Sequence, residues 1–180
     1  MQQVNIQYYY SPCGEIIFAS VDDELCLCDW NEMPCAERNK LRLLRYMKAE
    51  FKIETSPILE LVKKQLNEYF TGNRKIFDIP LHLVGTDFQK KVWNALLDIP
   101  YGETRSYKEI AQSIGSPNSV RAVAGAIRAN GISIFIPCHR VIGSNHSLTG
   151  FAGGLVAKRI LLEIESERMQ HKMLIVKQDK

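Results

Sequence analysis

Ile132-Ser133-Ile134-Phe135-Ile136-Pro137-Cys138-His139-Arg140-Val141-Ile142 joins an apolar run, a proline that stops it, three chemically active side chains in succession and a return to apolar residues. The pattern predicts a buried, β-like segment that breaks at Pro137 and delivers Cys138, His139 and Arg140 at one point. Pro137 has no amide hydrogen to give a sheet and biases Ile136 towards an extended backbone, so the break is sharp. Apolar flanks that pin a turn are a common way of fixing a reactive group.

Two readings of Cys138 compete. A free cysteine is usually a small buried hydrophobe. Here the neighbours are cationic or can become so, which favours thiolate over thiol, and His139 and Arg140 are hard to bury without partners. A metal site is a third reading, but cysteine and histidine in direct succession are a poor chelating spacing and no Cys-x2-Cys follows.

Around this stretch, residues 85–180 are helical and turn-rich. Thr86-Asp87-Phe88-Gln89 is a capping box, followed by an apolar stripe of Phe88, Val92, Trp93, Leu96 and Leu97 and a stop at Pro100-Tyr101-Gly102. Ser106-Tyr107-Lys108-Glu109 is a second capping box, with Ile110, Ala111 and Ile114 behind it and Gly115 to close. Ser116-Pro117 predicts the start of a third helix running to about Asn130, and two short helices across a Gly-Ser link outline a helix-turn-helix. On the third helix Val120, Val123, Ala124 and Ile127 take core spacing, whereas Arg121, Gly125 and Arg128 share another face with Ala122, Ala126 and Ala129 beside them. Such a face can approach a DNA backbone closely; a solvated face with packing alanines is the other reading.

Beyond the loop Gly143-Ser144-Asn145-His146, Thr149-Gly150-Phe151-Ala152-Gly153-Gly154 leads into a last helix with Val156, Ile160, Leu161 and Ile164 on its apolar side. The glycine-rich stretch lacks Gly-Lys-Ser/Thr, which argues against nucleotide binding; its bare backbone suits a planar ligand. Glu165 sits one position past the core residue Ile164 and needs a partner, which a histidine would supply.

Residues 1–84 read as a small α+β unit. Segments 4–10, 15–21 and 25–30 are rich in β-branched and aromatic residues and predict three strands, separated by Ser11-Pro12-Cys13-Gly14 and Asp22-Asp23-Glu24. Residues 39–51 predict a helix, Ser56-Pro57 opens a clearer one that stops at Gly72, and 76–83 predict a further strand. Nothing in this part points to catalysis. Cys26-Leu27-Cys28 would place two thiols on one face of a strand, but Cys13, Cys26, Cys28 and Cys35 fit no zinc template, so structural thiols are expected.

Composition agrees with a globular chain of 180 residues, 46% apolar and 24% charged. No apolar run reaches membrane-spanning length, the N-terminus lacks the basic start and apolar block of a signal peptide, and five irregularly spaced cysteines suggest reduced thiols; a cytoplasmic protein is expected. The net charge of +3 is uneven. Residues 1–84 carry 10 Lys and Arg against 12 Asp and Glu, a net −2, and residues 85–180 carry 13 against 8, a net +5, so the second part is the one suited to a polyanion.

Ile136-Pro-Cys-His-Arg-Val141 resembles the active-site signature of the O6-alkylguanine-DNA alkyltransferases, the methylated-DNA–protein-cysteine methyltransferases. Gly-Thr-x-Phe-Gln at 85–89, Ile-Pro-x-Gly-x-Thr-x-Ser-Tyr from Ile99 to Tyr107, Arg-Ala-Val at 121–123, Asn130 and Gly-x-x-Gly-Gly from Gly150 to Gly154 carry the resemblance in order from Gly85 to about Glu165. The first part matches only in size and coarse pattern. The resemblance implies an α+β fold: a small N-terminal α/β (ribonuclease H-like) domain, residues 1–84, then a mainly α-helical domain with a helix-turn-helix, residues 85–180. It implies DNA repair by direct damage reversal, in which a monomer without cofactor or metal moves the alkyl group of O6-alkylguanine in double-stranded DNA, with O4-alkylthymine a further candidate, irreversibly and once to its own Cys138.

The same resemblance implies roles. Cys138 would be the nucleophile, His139 its base through a bound water, Glu165 the group orienting His139, and Asn130 a support of the relay. Tyr107 would donate to the departing guanine. Arg121 would enter the stack where the base has left, while Arg128, Ala122, Gly125 and Ala126 would face the minor groove. Val141 backbone, Ser144, Phe151 and Gly153 would hold the flipped base. Three departures bear on pocket detail: Gly131 where proline is usual, Phe151 where tyrosine is usual, and His146 where glycine is frequent. Two rivals are a DNA-binding relative that recognises the lesion without removing its alkyl group, which would lack the cysteine, and a Cys-His hydrolase or transferase, which would turn over and ignore DNA.

Overall fold

The computed structural model describes residues 2–166, so residues 167–180 of the expected second domain lie outside the described residues. Strands β1 (Gln2–Ser11), β2 (Gly14–Val21) and β3 (Glu24–Trp30) form an antiparallel meander. Tight turns join them, with Gly14 at φ +111 and Asp22 at φ +49, the left-handed backbone such turns need. Helix α1 (Pro34–Met47) then returns the chain to β4 (Ala49–Ile53), which pairs in parallel with β1 and completes the order β3-β2-β1-β4. Helix α2 (Pro57–Phe70) starts as the sequence predicts, with the Ser56 side chain accepting from Leu59 N, a cap that contributes about 1 kcal/mol.

Both faces of this sheet are covered. Val4, Ile6, Ile17, Ala19 and Val21 pack with Leu43 of α1. Ile16, Phe18, Leu25, Cys28 and Trp30 join α2 and the second part in one larger core that contains Trp93, Ile110, Val123, Ile136 and Leu161. A β-bulge explains the split of the neighbouring thiols. Ala19 faces Leu27 and Ser20 faces Leu25, so Cys26 is the extra residue and turns to the α1 face while Cys28 stays in the larger core. The expectation that they share one face is therefore corrected.

The second part contains α3 (Asp87–Leu97), the two-residue strand β5 (Arg105–Ser106), α4 (Tyr107–Ser113), α5 (Val120–Arg128), a 3-10 turn over Cys138–Arg140, β6 (Val141–Ile142) and α6 (Gly154–Glu165). Both capping boxes form in full, at Thr86–Gln89 and Ser106–Glu109. β5 and β6 pair in parallel, Arg105 with Val141 and Ser106 with Ile142, which lays the start of α4 beside the cysteine turn.

Four boundaries differ from the sequence reading. The first helix begins at Pro34 and not at 39, because a proline at its first position needs no apolar periodicity to start it. It ends at Lys48, in the left-handed conformation at φ +47, and residues 49–51 become strand because pairing with β1 outweighs the helical spacing of Phe51. Residues 76–83 form no strand; only Leu81 bridges to Leu25, and Pro80 lacks a donor. The third helix starts at Val120, since Ser116 N donates to Ala111 O and Ser119 N to Ser116 O, making residues 114–119 a turn.

Candidate active site

The segment before the cysteine is buried but is not a strand. Ile132 bridges to Cys28, with Cys28 N donating to Gly131 O at 2.8 Å and Ser133 N to Cys28 O at 2.7 Å, so the edge of β3 holds it. The fully buried Asn130 then folds it back: its Nδ2 donates to Ile136 O at 3.1 Å and its Oδ1 accepts from Ile132 N at 2.9 Å. Ile134 takes φ +74 within this loop, a strained conformation for a β-branched residue, and is fully buried there. Pro137 begins the 3-10 turn, Cys138 N donates to Ile136 O, and Cys138 sits 4% exposed in the core.

His139 and Arg140 find the partners their burial requires. His139 Nε2 lies 2.7 Å from Glu165 Oε1, and Arg140 donates from Nε to Glu165 Oε2 at 2.8 Å and from Nη2 to Oε1 at 3.0 Å. Arg140 Nη1 also donates to Ile99 O, and Tyr69 Oη to Glu165 Oε1 at 2.7 Å. Burial alone would raise the Glu165 carboxyl, but His139 and Arg140 hold it well below the usual carboxylate range. An ionised carboxylate only accepts, so the His139 nitrogen facing it is N–H and Nδ1 carries the lone pair of the neutral ring. Burial lowers the proton affinity of His139, against the pull of Glu165. His139 Nδ1 is buried with no hydrogen-bond partner among the described residues.

Burial also pushes the Cys138 thiol up, opposed by the nearby Asn130 and Ser133 side chains. This corrects the expectation of a thiol lowered by cationic neighbours. Arg140 is spent on Glu165 and His139 is driven towards its neutral form, so the sulfur rests protonated and a base must take its proton.

Side chains from several elements tie the signature segment to the loops around it. Tyr107 Oη donates to Thr149 O at 3.1 Å. Lys158 of α6, 0% exposed, donates from Nζ to Val141 O and, at 2.9 Å, to Thr149 O, tying the signature segment to the glycine-rich loop. Its burial lowers its affinity for a proton to a pKa of about 8. Phe151 meets the Trp30 indole edge-on, with centroids 5.1 Å apart, and Ser144 is exposed on the loop after β6. At Gly153 a Cβ would come to 2.5 Å from Trp30 Cδ2, so the tryptophan ring leaves room only for glycine at this point of the loop.

On α5, Arg121, Ala122, Gly125 and Arg128 are exposed on one side, as the spacing predicts. Ala126 is not on that side. It is 4% exposed and its carbonyl accepts from Trp93 Nε1 at 2.8 Å, so its methyl group packs in the core, and its place on a DNA-facing surface is withdrawn. The C-terminal carbonyls of α5 are held from the first part of the chain, Arg38 Nη2 donating to Arg128 O and Arg42 Nη1 to Ala129 O. All five cysteines are free, and no group of three metal-ligating side chains occurs among the described residues. No described helix is long and apolar enough to cross a membrane.

Comparison with known proteins bears on this arrangement. A family model for the 6-O-methylguanine DNA methyltransferase ribonuclease-like domain matches residues 4–83, and one for the DNA binding domain of the same family matches residues 87–167. The constitutive methylated-DNA–protein-cysteine methyltransferase of Bacillus subtilis is 45% identical over 164 residues, covering 86% of this chain and 91% of that protein. The chain belongs to the methylated-DNA–protein-cysteine methyltransferase family. The Haemophilus influenzae methylated-DNA–protein-cysteine methyltransferase is 40% identical over 88% of this chain and 84% of its own length. Among solved structures, Mycobacterium tuberculosis OGT in complex with DNA superposes with a TM-score of 0.77 at 40% identity, covering 92% of this chain and 94% of that one.

For a methylated-DNA–protein-cysteine methyltransferase family member, the structure adds residues that the sequence reading passed over. Arg140 was recognised as needing a partner but not as a second clamp on Glu165. Lys158 sits on the buried side of α6, where a lysine carries no sequence signal of its position. Tyr69 and Trp30 come from the part in which nothing pointed to catalysis, and only the fold brings them to Glu165 and Gly153.

Proposed function

We propose that this protein repairs duplex DNA containing O6-alkylguanine by moving the alkyl group to Cys138, once per molecule, as a monomer. The observation that carries the reading is the buried pair of Cys138 and His139. The imidazole has one nitrogen tied to ionised Glu165 and the other unpartnered, so it can act as a base only towards something brought to it. Through a bridging water the thiol proton passes to His139 Nδ1, the sulfur bonds to the alkyl carbon, and the bond from that carbon to O6 breaks. Guanine leaves as a neutral base with a proton supplied through Tyr107. The thioether has no route back, which limits each chain to one reaction.

Reaching O6 requires the base to be turned out of the duplex, at a cost of a few kcal/mol. Arg121, exposed on α5, is suited to fill the gap, with Arg128 on the backbone and Ala122 and Gly125 permitting close approach. Val141, Ser144 and Phe151 would hold the base. Residues 85–166 carry the DNA-facing helix and the nucleophile, and residues 2–84 their scaffold.

Incubation with a duplex containing O6-methylguanine should add one methyl mass to the intact protein, on the peptide that contains Cys138, and Cys138→Ser should add none while still binding the duplex. An unmodified wild-type protein, an adduct on another cysteine, or many turnovers per chain would refute the proposal. Turnover of small substrates without DNA is the outcome the hydrolase reading requires.

A further inference from the structure

Glu165 Oε1 accepts from His139 Nε2 at 2.7 Å, from Tyr69 Oη at 2.7 Å and from Arg140 Nη2 at 3.0 Å. Tyr69 lies near the C-terminal end of α2, 96 residues away in sequence, and is 0% exposed. Its ring is fixed on three sides by Phe70, Phe77 and Tyr101, with centroids 5.3, 5.3 and 6.4 Å away. This hydroxyl is therefore locked onto the oxygen that also takes the imidazole N–H.

We propose that Tyr69 is a positioning residue of the alkyl-transfer site: the N-terminal part of the chain supplies, through this hydroxyl, a third donor that shares Glu165 Oε1 with His139 and so sets how basic His139 is. Each donor on a carboxylate oxygen draws off part of the charge available to the others. With Tyr69 in place, the carboxylate holds the imidazole N–H firmly in position but enhances its basicity less than it otherwise would. A less basic imidazole stays neutral, and so ready to receive the Cys138 proton, at a lower pH.

The groups that face His139 are few. Glu165 and Lys158 come from α6, Arg140 and Cys138 from its own turn, and Tyr69 from α2; Tyr101, from the loop after α3, touches Tyr69 and donates to Ile164 O. Glu165 raises the imidazole's affinity for a proton, while Arg140 and Lys158 lower it. Tyr69 itself is no base here, because burial and then Glu165 push its phenol well up and keep it protonated as a donor.

The inference rests on the proposed alkyl transfer, and its test separates the two. Single-turnover methylation by a duplex containing O6-methylguanine is followed from pH 5 to 9 for wild type and Tyr69→Phe, which removes the hydroxyl and keeps the ring. The acid limb of the Tyr69→Phe profile should move up by roughly half a pH unit or more. Fluorotyrosine placed at position 69, a stronger donor of the same shape, should move it down, and this arm decides the matter where Tyr69→Phe fails to fold. Acid limbs that superpose, or that move the same way in both variants, would overturn the role of Tyr69. A wild-type protein that takes no alkyl group would instead overturn the proposed function.

Discussion

At the scale of single residues, the titratable side chains of Tyr69, Cys138, His139, Arg140, Lys158 and Glu165 share one buried region, and acid should expose the strain of that choice. Burial lowers the affinity of His139 for a proton, against the pull of Glu165. In the unfolded chain the imidazole takes a proton near ~6.5. As the pH falls through that value the unfolded state binds the proton first, so the contribution of His139 to stability is whole above it and drains away below it. Glu165 has the same sign further down: its carboxyl is held low, so its contribution is present above ~4.3 and lost as the pH falls towards its folded value. The midpoint of urea unfolding should therefore fall between pH 7 and 5, and a flat midpoint across that window would show that His139 is not held neutral. The relay was legible in the sequence where its members are contiguous, as at Cys138-His139-Arg140, or where a charge sits against a core stripe, as at Glu165. Tyr69 was not legible, because a tyrosine on the apolar side of a helix looks the same whether or not its hydroxyl finds a carboxylate.

Among the elements, α4 is the shortest helix near the site, seven residues from Tyr107 to Ser113. So short a helix is marginal by itself, and it is begun by the reciprocal pair of Ser106 and Glu109. Ser106→Ala should cost about 1 kcal/mol, read as a lower denaturation midpoint, and should slow alkyl transfer from duplex DNA because Tyr107 is the first residue of the helix it caps. An unchanged midpoint and rate would mean that the β5–β6 pairing alone seats α4. Helix starts marked by a side-chain cap were read correctly from sequence at Ser56, Thr86 and Ser106. Starts and stops that depend on distant partners were not: the parallel pairing of Ala49–Ile53 with β1, the turn over 114–119 and the bridge of Ile132 to Cys28 all rest on chain brought in from elsewhere.

For the whole molecule, the two parts of the chain are not independent. One core contains Tyr9, Phe18, Trp30 and Tyr69 from the first and Trp93, Ile110, Val141 and Leu161 from the second. β3 pairs with residues 131–133, and Arg38 and Arg42 hold the end of α5. Unfolding should accordingly be a single cooperative event. Trp30 and Trp93 lie one in each part, both buried, so single-tryptophan variants should report coincident fluorescence transitions that match the loss of far-ultraviolet dichroism. Separate midpoints for the two tryptophans would show that the parts unfold apart. The α+β class, the opening three-strand meander and the helices were visible in composition and periodicity, whereas β4, β5 and β6 were not and the strand expected at 76–83 does not form. The intimacy of the two parts was not, since the shared core is built from residues that read simply as apolar in each.

The sulfur of Cys138 lies in the core, 4% exposed, near the side chains of Asn130 and Ser133. The proposed transfer would leave a methyl group there, and a packed interior has little room for an extra carbon; overfilling of this kind typically costs about 1–3 kcal/mol. An alkylated chain should therefore unfold at a lower urea concentration than an unreacted one. Such a chain would also open more often to any protease that samples unfolded protein, so the carbon that ends its activity would shorten its life as well.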